Sequence, residues 1–341
     1  MSISYLNLAI PNAGELVEVA QGVFWLRMPL PFDLDHINLY LIKDGEDGFA
    51  LVDTGIGTKQ TETLWEQIIS ALDTPITKVI VTHMHPDHIG MAGYLVEKFR
   101  VPFYMSHDEY FVGRAISAGP RGASDWQDQE YLVRCGMSKK ELTEAQKNRQ
   151  RSKGIGSLVK PIPLQFTRLS AGDTLTIDNE NWLVIIGKGH SPEHVSLYNA
   201  NSNILISGDH VLPHISPNIG VYNTEPNANP LKQYLDTLPQ FTELPSDALV
   251  LPSHKQPFYG LHTRVNELIN HHHEHLDNLR VFCQQGKTIE QCLPVLFKRK
   301  LNSRNIYFAI AESFAHLNYL YFTGECSRHI NAEGQFIFTL K

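Results

Sequence analysis

A layered α/β fold is the expectation for this chain, and three observations predict it. From about residue 49 to residue 105, β-branched runs alternate with amphipathic stretches in the order strand, helix, strand, helix, strand. That rhythm lays helices over a sheet. A dense set of histidines and a carboxylate, Thr82-His83-Met84-His85-Pro86-Asp87-His88-Ile89-Gly90, stands where one of those strands gives way to a helix. After about His262 the pattern turns helical and marks a smaller second unit. A length of 341 residues suits one large domain, 1–262, and a smaller one, 263–341.

The elements follow in order. Strands are expected at Val23 to Met28, Ile37 to Ile42 and Phe49 to Val52, with the turn-rich connector 44–48 between the last two. Asp53-Thr54-Gly55 closes the third strand, and a turn carboxylate there caps local N–H groups. Thr58 to Asp73 carries Leu64, Trp65, Ile68, Ile69 and Leu72 at helical spacing. Lys78 to Val81 reads as a buried strand, and Ile89 to Phe99 as a helix.

Residues 106–163 break the alternation. They are polar, helical in pieces (Asp108 to Ser117 and Trp126 to Arg151), and include the basic run Arg149-Gln150-Arg151-Ser152-Lys153, read as a solvated helix face. Strands resume from Phe166 to Leu251. The loop Val211 to Tyr222, with Pro, Gly, Asn and aromatics, forms a pocket wall in which His214 and Tyr222 are candidate substrate contacts. Beyond it, Arg264 to Gln284 is a long helix containing His271-His272-His273-Glu274-His275. Consecutive helical side chains diverge, so the run reads as solvated surface, and only a pair such as His271 with His275 can converge. Thr288-Ile289-Glu290-Gln291 has capping-box form. A third helix, about Ser303 to Phe322, puts Phe308, Ala311, Phe314, Leu317 and Leu320 on one side and ends at Gly324, before a hairpin around Glu333-Gly334.

Composition sets limits. With 42% hydrophobic and 19% charged residues the chain reads as soluble and globular. No stretch has the apolar length of a membrane span, and Met1-Ser2-Ile3-Ser4-Tyr5 lacks the form of a signal peptide. Four cysteines, widely spaced and without C-x-x-C, suggest neither a zinc knuckle nor a disulfide framework, which favours the cytoplasm. A net charge of −7 weighs against nucleic acid as a partner and leaves a small molecule, with a homo-oligomer still open.

The chemistry concentrates at residues 82–90. His83 and His85 leave an extended segment on the same face and can grip one ion; Asp87 and His88 aim at a second point. Imidazole with carboxylate suits Zn²⁺, with Fe or Mn as alternatives. The T-H-x-H-x-D-H-x-G pattern resembles the signature of the metallo-β-lactamase fold superfamily. That resemblance implies further ligands at strand ends, and Gly189-His190-Ser191, Gly208-Asp209-His210 and Pro252-Ser253-His254 stand there. By similarity His83, His85 and His190 hold one divalent ion, Asp87, His88 and His254 another, and Asp209 bridges them. Asp53 and His210 would support the ligands from behind.

The same resemblance implies a four-layer αββα fold in which the insertion is a helical lid. The last 79 residues resemble the winged-helix-like domain of the β-lactamase-like protein 2 group. The expected activity is hydrolysis of an ester-like bond by a metal-bridging hydroxide, with Asp87 orienting it and moving its proton. Thioesters, as in glyoxalase II-like enzymes, come first; lactones and RNA are alternatives, and a mononuclear iron persulfide dioxygenase is the rival of another class. Pro252-Ser253-His254-Lys255 departs from the usual P-G-H-G setting and makes Lys255 a candidate anion contact.

Overall fold

The computed structural model describes residues 2–46, 48–118, 125–138, 155–298, 301 and 305–341. Two seven-stranded sheets lie at its centre. In the first, the antiparallel strands Leu16–Ala20, Val23–Pro29, His36–Lys43 and Phe49–Val52 continue into parallel Ile76–Ile80, Phe103–Met105 and Thr167–Arg168. Parallel neighbours need a crossover, and helix Lys59–Ala71 supplies the one between Phe49–Val52 and Ile76–Ile80. The second sheet runs Ser4–Tyr5, Phe258–Tyr259, Leu249–Pro252, Ile204–Gly208, His194–Asn199, Glu180–Gly187, Thr174–Ile177.

Trp25, Tyr40, Val52 and Ile80 of the first sheet pack with Trp182, Val195, Leu197 and Leu251 of the second. Helices close the outer faces. Trp65, Ile68 and Leu95 cover the first sheet, while Tyr234, Leu268 and Phe314 join Val250 and Phe258 behind the second. The layering is therefore helix, sheet, sheet, helix, as the resemblance implies.

Several expectations shift. The helix expected over residues 89–99 is two, Pro86–Ile89 and Ala92–Phe99. The break follows from Met91, whose N–H leaves the helical ladder for Gly55 O at 3.1 Å. Gly90 is required beside it, because a Cβ there would stand 2.4 Å from Gly57 N and from Pro86 O.

The insertion is better anchored than its polar composition suggests. In helix His107–Ser117 the Tyr110 ring stacks on Phe166 at 3.9 Å. Following helix Asp125–Arg134, Cys135 and Met137 are buried with Leu132 in the C-terminal core, and Glu290 N–H donates to Cys135 O at 2.9 Å. The rest of the helix expected to reach Arg151, and the basic run Arg149 to Lys153, lie outside the described residues.

The C-terminal unit has helices Leu261–Phe282, Ile289–Leu296 and Ile306–Phe322, then the hairpin Cys326–Ile330 with Phe336–Leu340. The capping box is present, with Thr288 Oγ1 accepting Gln291 N–H and Gln291 Oε1 accepting Thr288 N–H. Ile306–Phe322 is not one-sided. Glu312, Ser313, His316 and Asn318 are buried along with the apolar residues, whereas Phe308 is 54% exposed.

The histidine run likewise corrects the solvated reading. His272 is fully buried and His271 and His275 half-buried, because their helix is clasped by Ile306–Phe322. All four cysteines are free and buried, with Cys283 Sγ 3.8 Å from Cys292 Sγ. Among the described residues, no helix is long and apolar enough to cross a membrane.

Candidate metal centre

Seven side chains from four segments of the chain, residues 83–88 and the stretches holding His190, Asp209 and His254, meet above the strand ends. One ligand atom from each of His83, His85, His190 and Asp209 lies within 4.8 Å of the others, and so do those of Asp87, His88 and His254. In the first group His83 Nε2 stands 2.8 Å from His85 Nδ1 and 3.3 Å from His190 Nε2. In the second, Asp87 Oδ2 is 3.6 Å from both His88 Nε2 and His254 Nε2. The Asp209 carboxylate lies between: Oδ2 is 3.4 Å from His190 Nε2 and 3.6 Å from His88 Nε2, and Oδ1 is 3.3 Å from His254 Nε2.

The outer nitrogens of these rings are already committed. His190 Nδ1 donates to Asn218 O at 2.9 Å, His254 Nδ1 to His36 O at 2.8 Å, and His88 Nδ1 to Asp53 Oδ2 at 2.7 Å. Each bond fixes the tautomer and turns the Nε2 lone pair inward, as in histidines that ligate metals. His83 Nδ1 contacts Thr82 Oγ1 at 3.0 Å.

Buried polar atoms without partners are rare in proteins. Here His88 Nε2 and Asp209 Oδ1 are both buried with no hydrogen-bond partner, and both face the convergence point. Burial drives His83 and His85 well below the usual imidazole range, in the neutral form that binds metal. Burial alone would raise Asp209, but the neighbouring His254 and His88 imidazoles outweigh it and hold the carboxyl well below its ordinary value. The donor set and the orphaned atoms fit divalent metal ions.

Residues that the sequence reading missed complete the surround. His194 Nε2 accepts the backbone N–H of Asp209 at 3.0 Å, the supporting place expected of His210. His210 instead turns away: its ring nitrogens have no partner, and it packs 4.9 Å from Tyr234 and 5.2 Å from Phe241. Glu109, from the insertion, accepts Met84 N–H at 2.9 Å and Glu193 N–H at 2.8 Å, joining two ligand loops. Asp53 takes its expected place, with Oδ1 accepting Thr82 N–H at 2.8 Å.

The three candidate substrate contacts divide. His214 is not brought to the centre; Arg264 donates to Leu212 O and Ile215 O, which folds the loop back so that exposed His214 pairs with Tyr5 Oη at 2.6 Å. Tyr222 Oη donates to Asn218 Oδ1 at 2.7 Å, one residue removed from His190. Lys255 enters through its main chain: at φ 73° its N–H donates to His36 Nε2 and its carbonyl accepts Asn38 Nδ2. Serine at 253 does not disturb His254, since Ser253 O accepts Asn38 N–H at 2.7 Å and the imidazole stays buried.

Comparison with known proteins places the chain among proteins of similar sequence and fold. Residues 32–254 match the metallo-beta-lactamase superfamily model, and residues 276–341 match a metallo-beta-lactamase-like C-terminal domain. A beta-lactamase domain protein from Burkholderia ambifaria superposes with a TM-score of 0.92 at 39% identity, covering 99% of this chain and 98% of that one. A metallo-beta-lactamase family protein from Thermus thermophilus gives 0.78 at 26% identity, over 95% and 100% of the two chains. The probable metallo-hydrolase YqjP of Bacillus subtilis is 22% identical over 315 residues, 88% of this chain and 92% of its own.

Proposed function

This chain belongs to the metallo-β-lactamase superfamily, and from that premise we propose that it is a two-metal hydrolase of an ester-like bond, with thioesters as the first substrate class. The observation that carries the reading is the Asp209 carboxylate, with one oxygen toward His190 and His88 and the other toward His254. His83, His85 and His190 would hold one ion, Asp87, His88 and His254 the second, and Asp209 both. Bound divalent ions, Zn²⁺ first by donor type, supply Lewis acidity and bring the pKa of water down to about 7.

The chain's own groups do the rest. Asp87, whose Oδ2 lies 3.6 Å from His88 Nε2 and from His254 Nε2, would orient the attacking water and carry its proton to the leaving group. Tyr222, 41% exposed and hydrogen-bonded through its Oη to Asn218, the residue whose carbonyl holds His190, is the contact for the substrate's acyl portion in this reading. The substrate is a small molecule.

Hydrolysis of S-lactoylglutathione, an acyl-CoA, a homoserine lactone and single-stranded RNA by the metal-loaded chain tests the assignment, with Asp209→Ala as control. Thioester turnover lost in the control is expected. Turnover of lactone or RNA without thioester would overturn the substrate class, and no turnover of any would overturn the hydrolase reading.

A further inference from the structure

We propose that the C-terminal unit carries a further divalent transition-metal site, built from His271, His275 and Glu312. One ligand atom from each lies within 4.8 Å of the other two. His271 and His275 are four apart on Leu261–Phe282 and so share a face, with ring centroids 4.1 Å apart. Glu312 comes from the helix that clasps them, Ile306–Phe322. Two imidazoles and a carboxylate form a set that Zn²⁺ accepts with its fourth position open.

A second observation points the same way. His275 Nδ1 and His272 Nε2 are buried without hydrogen-bond partners, so this helix interface holds orphaned imidazole nitrogens as the main centre does. Glu312 is held from outside: Oε2 accepts Asn218 Nδ2 at 3.1 Å, and its backbone carbonyl accepts His316 Nδ1 at 2.8 Å. Ligating carboxylates are commonly anchored by such bonds.

Two cations bear on the pair, Arg264 on His271 and Lys298 on His275. Arg264 is engaged by Leu212 O, Ile215 O and Glu267, and Lys298 is exposed. Neither cation is hydrogen-bonded or ion-paired to any of the three ligands in the contacts described. The ordinary reading, a polar helix contact without an ion, makes a different forecast for metal content.

The test is a count of metal on the full chain. The protein is stripped with a chelator, reloaded with Zn²⁺, freed of excess, and measured by mass spectrometry, with Co²⁺ absorption as a second readout. Glu312→Gln and the pair His271→Ala with His275→Ala are each expected to bind one equivalent fewer than the parent and to lose one set of Co²⁺ bands. Asp209→Ala is expected to keep that equivalent. Should the double variant fail to fold, the near-isosteric Glu312→Gln decides. An unchanged count in Glu312→Gln, or a parent holding no ion beyond those Asp209→Ala loses, overturns the proposal. The count does not depend on turnover, so it stands apart from the hydrolase reading.

Discussion

Asp53 Oδ2 lies 2.7 Å from His88 Nδ1 while its other oxygen accepts the Thr82 backbone N–H, so one carboxylate joins two adjoining strand ends beneath the metal centre. Asp53 does this in the left-handed region, φ 62°, where aspartate is among the few side chains tolerated. Removing it with Asp53→Ala is expected to weaken metal binding about 10–100-fold, the usual effect of losing such a partner. Asp53→Asn keeps one acceptor and is expected to lose less. Chelator competition measures both, and equal affinity in Asp53→Ala would reject the role.

Glu109 is expected to matter for stability. Burial pushes its carboxyl up, yet it accepts two part-buried backbone N–H groups, from Met84 and Glu193. Glu109→Ala leaves both unpaired, at about 1–3 kcal/mol each. Because both donors are only part-buried, denaturant unfolding should show a loss near the lower end of that range, about 1–3 kcal/mol in all, with Glu109→Gln, which still accepts one bond, less affected.

Gly208 precedes Asp209 with φ 54°, and a Cβ there would stand 2.4 Å from the His194 ring. Gly208→Ala must therefore displace the imidazole that accepts the Asp209 N–H. The expected outcome is a folded chain with weakened metal binding, read by circular dichroism beside metal content. Metal binding equal to the parent's would show that His194 does not position Asp209.

Acid should unfold this chain through histidines buried in the neutral form. Burial lowers His36 and His275 to about 4 and His316 to about 3, against 6.5 when unfolded. Between these values the unfolded chain binds more protons, so stability rises with pH across that window and falls as pH drops from about 6.5 toward 4. Below about 3 these three groups add no further loss. Thermal melts from pH 7 to pH 4 check this, and His316→Asn, which cannot take up the proton, should flatten part of the slope.

Much of this was legible in the sequence, and the reasons for success and failure are physical. His83, His85, Asp87 and His88 sit in one short run, so their spacing alone announces a site. His190, Asp209 and His254 follow apolar runs that had to be strands, which puts them at the same rim. His36, Glu109 and His194 carry no such mark: each acts through hydrogen bonds set by tertiary packing between elements far apart in the chain. The buried His272 escaped for a related reason, since helical periodicity cannot reveal that a second helix will cover the opposite face.

The central claim is that one carboxylate serves two metal positions. Anomalous diffraction at the metal edge, from crystals of the reloaded full chain, tests it most directly. The account expects two peaks flanking the Asp209 carboxylate, roughly 3.5–4 Å apart as in other two-metal hydrolytic sites, one against His83, His85 and His190 and the other against Asp87, His88 and His254. A single peak there, or two with Asp209 touching only one, would contradict it.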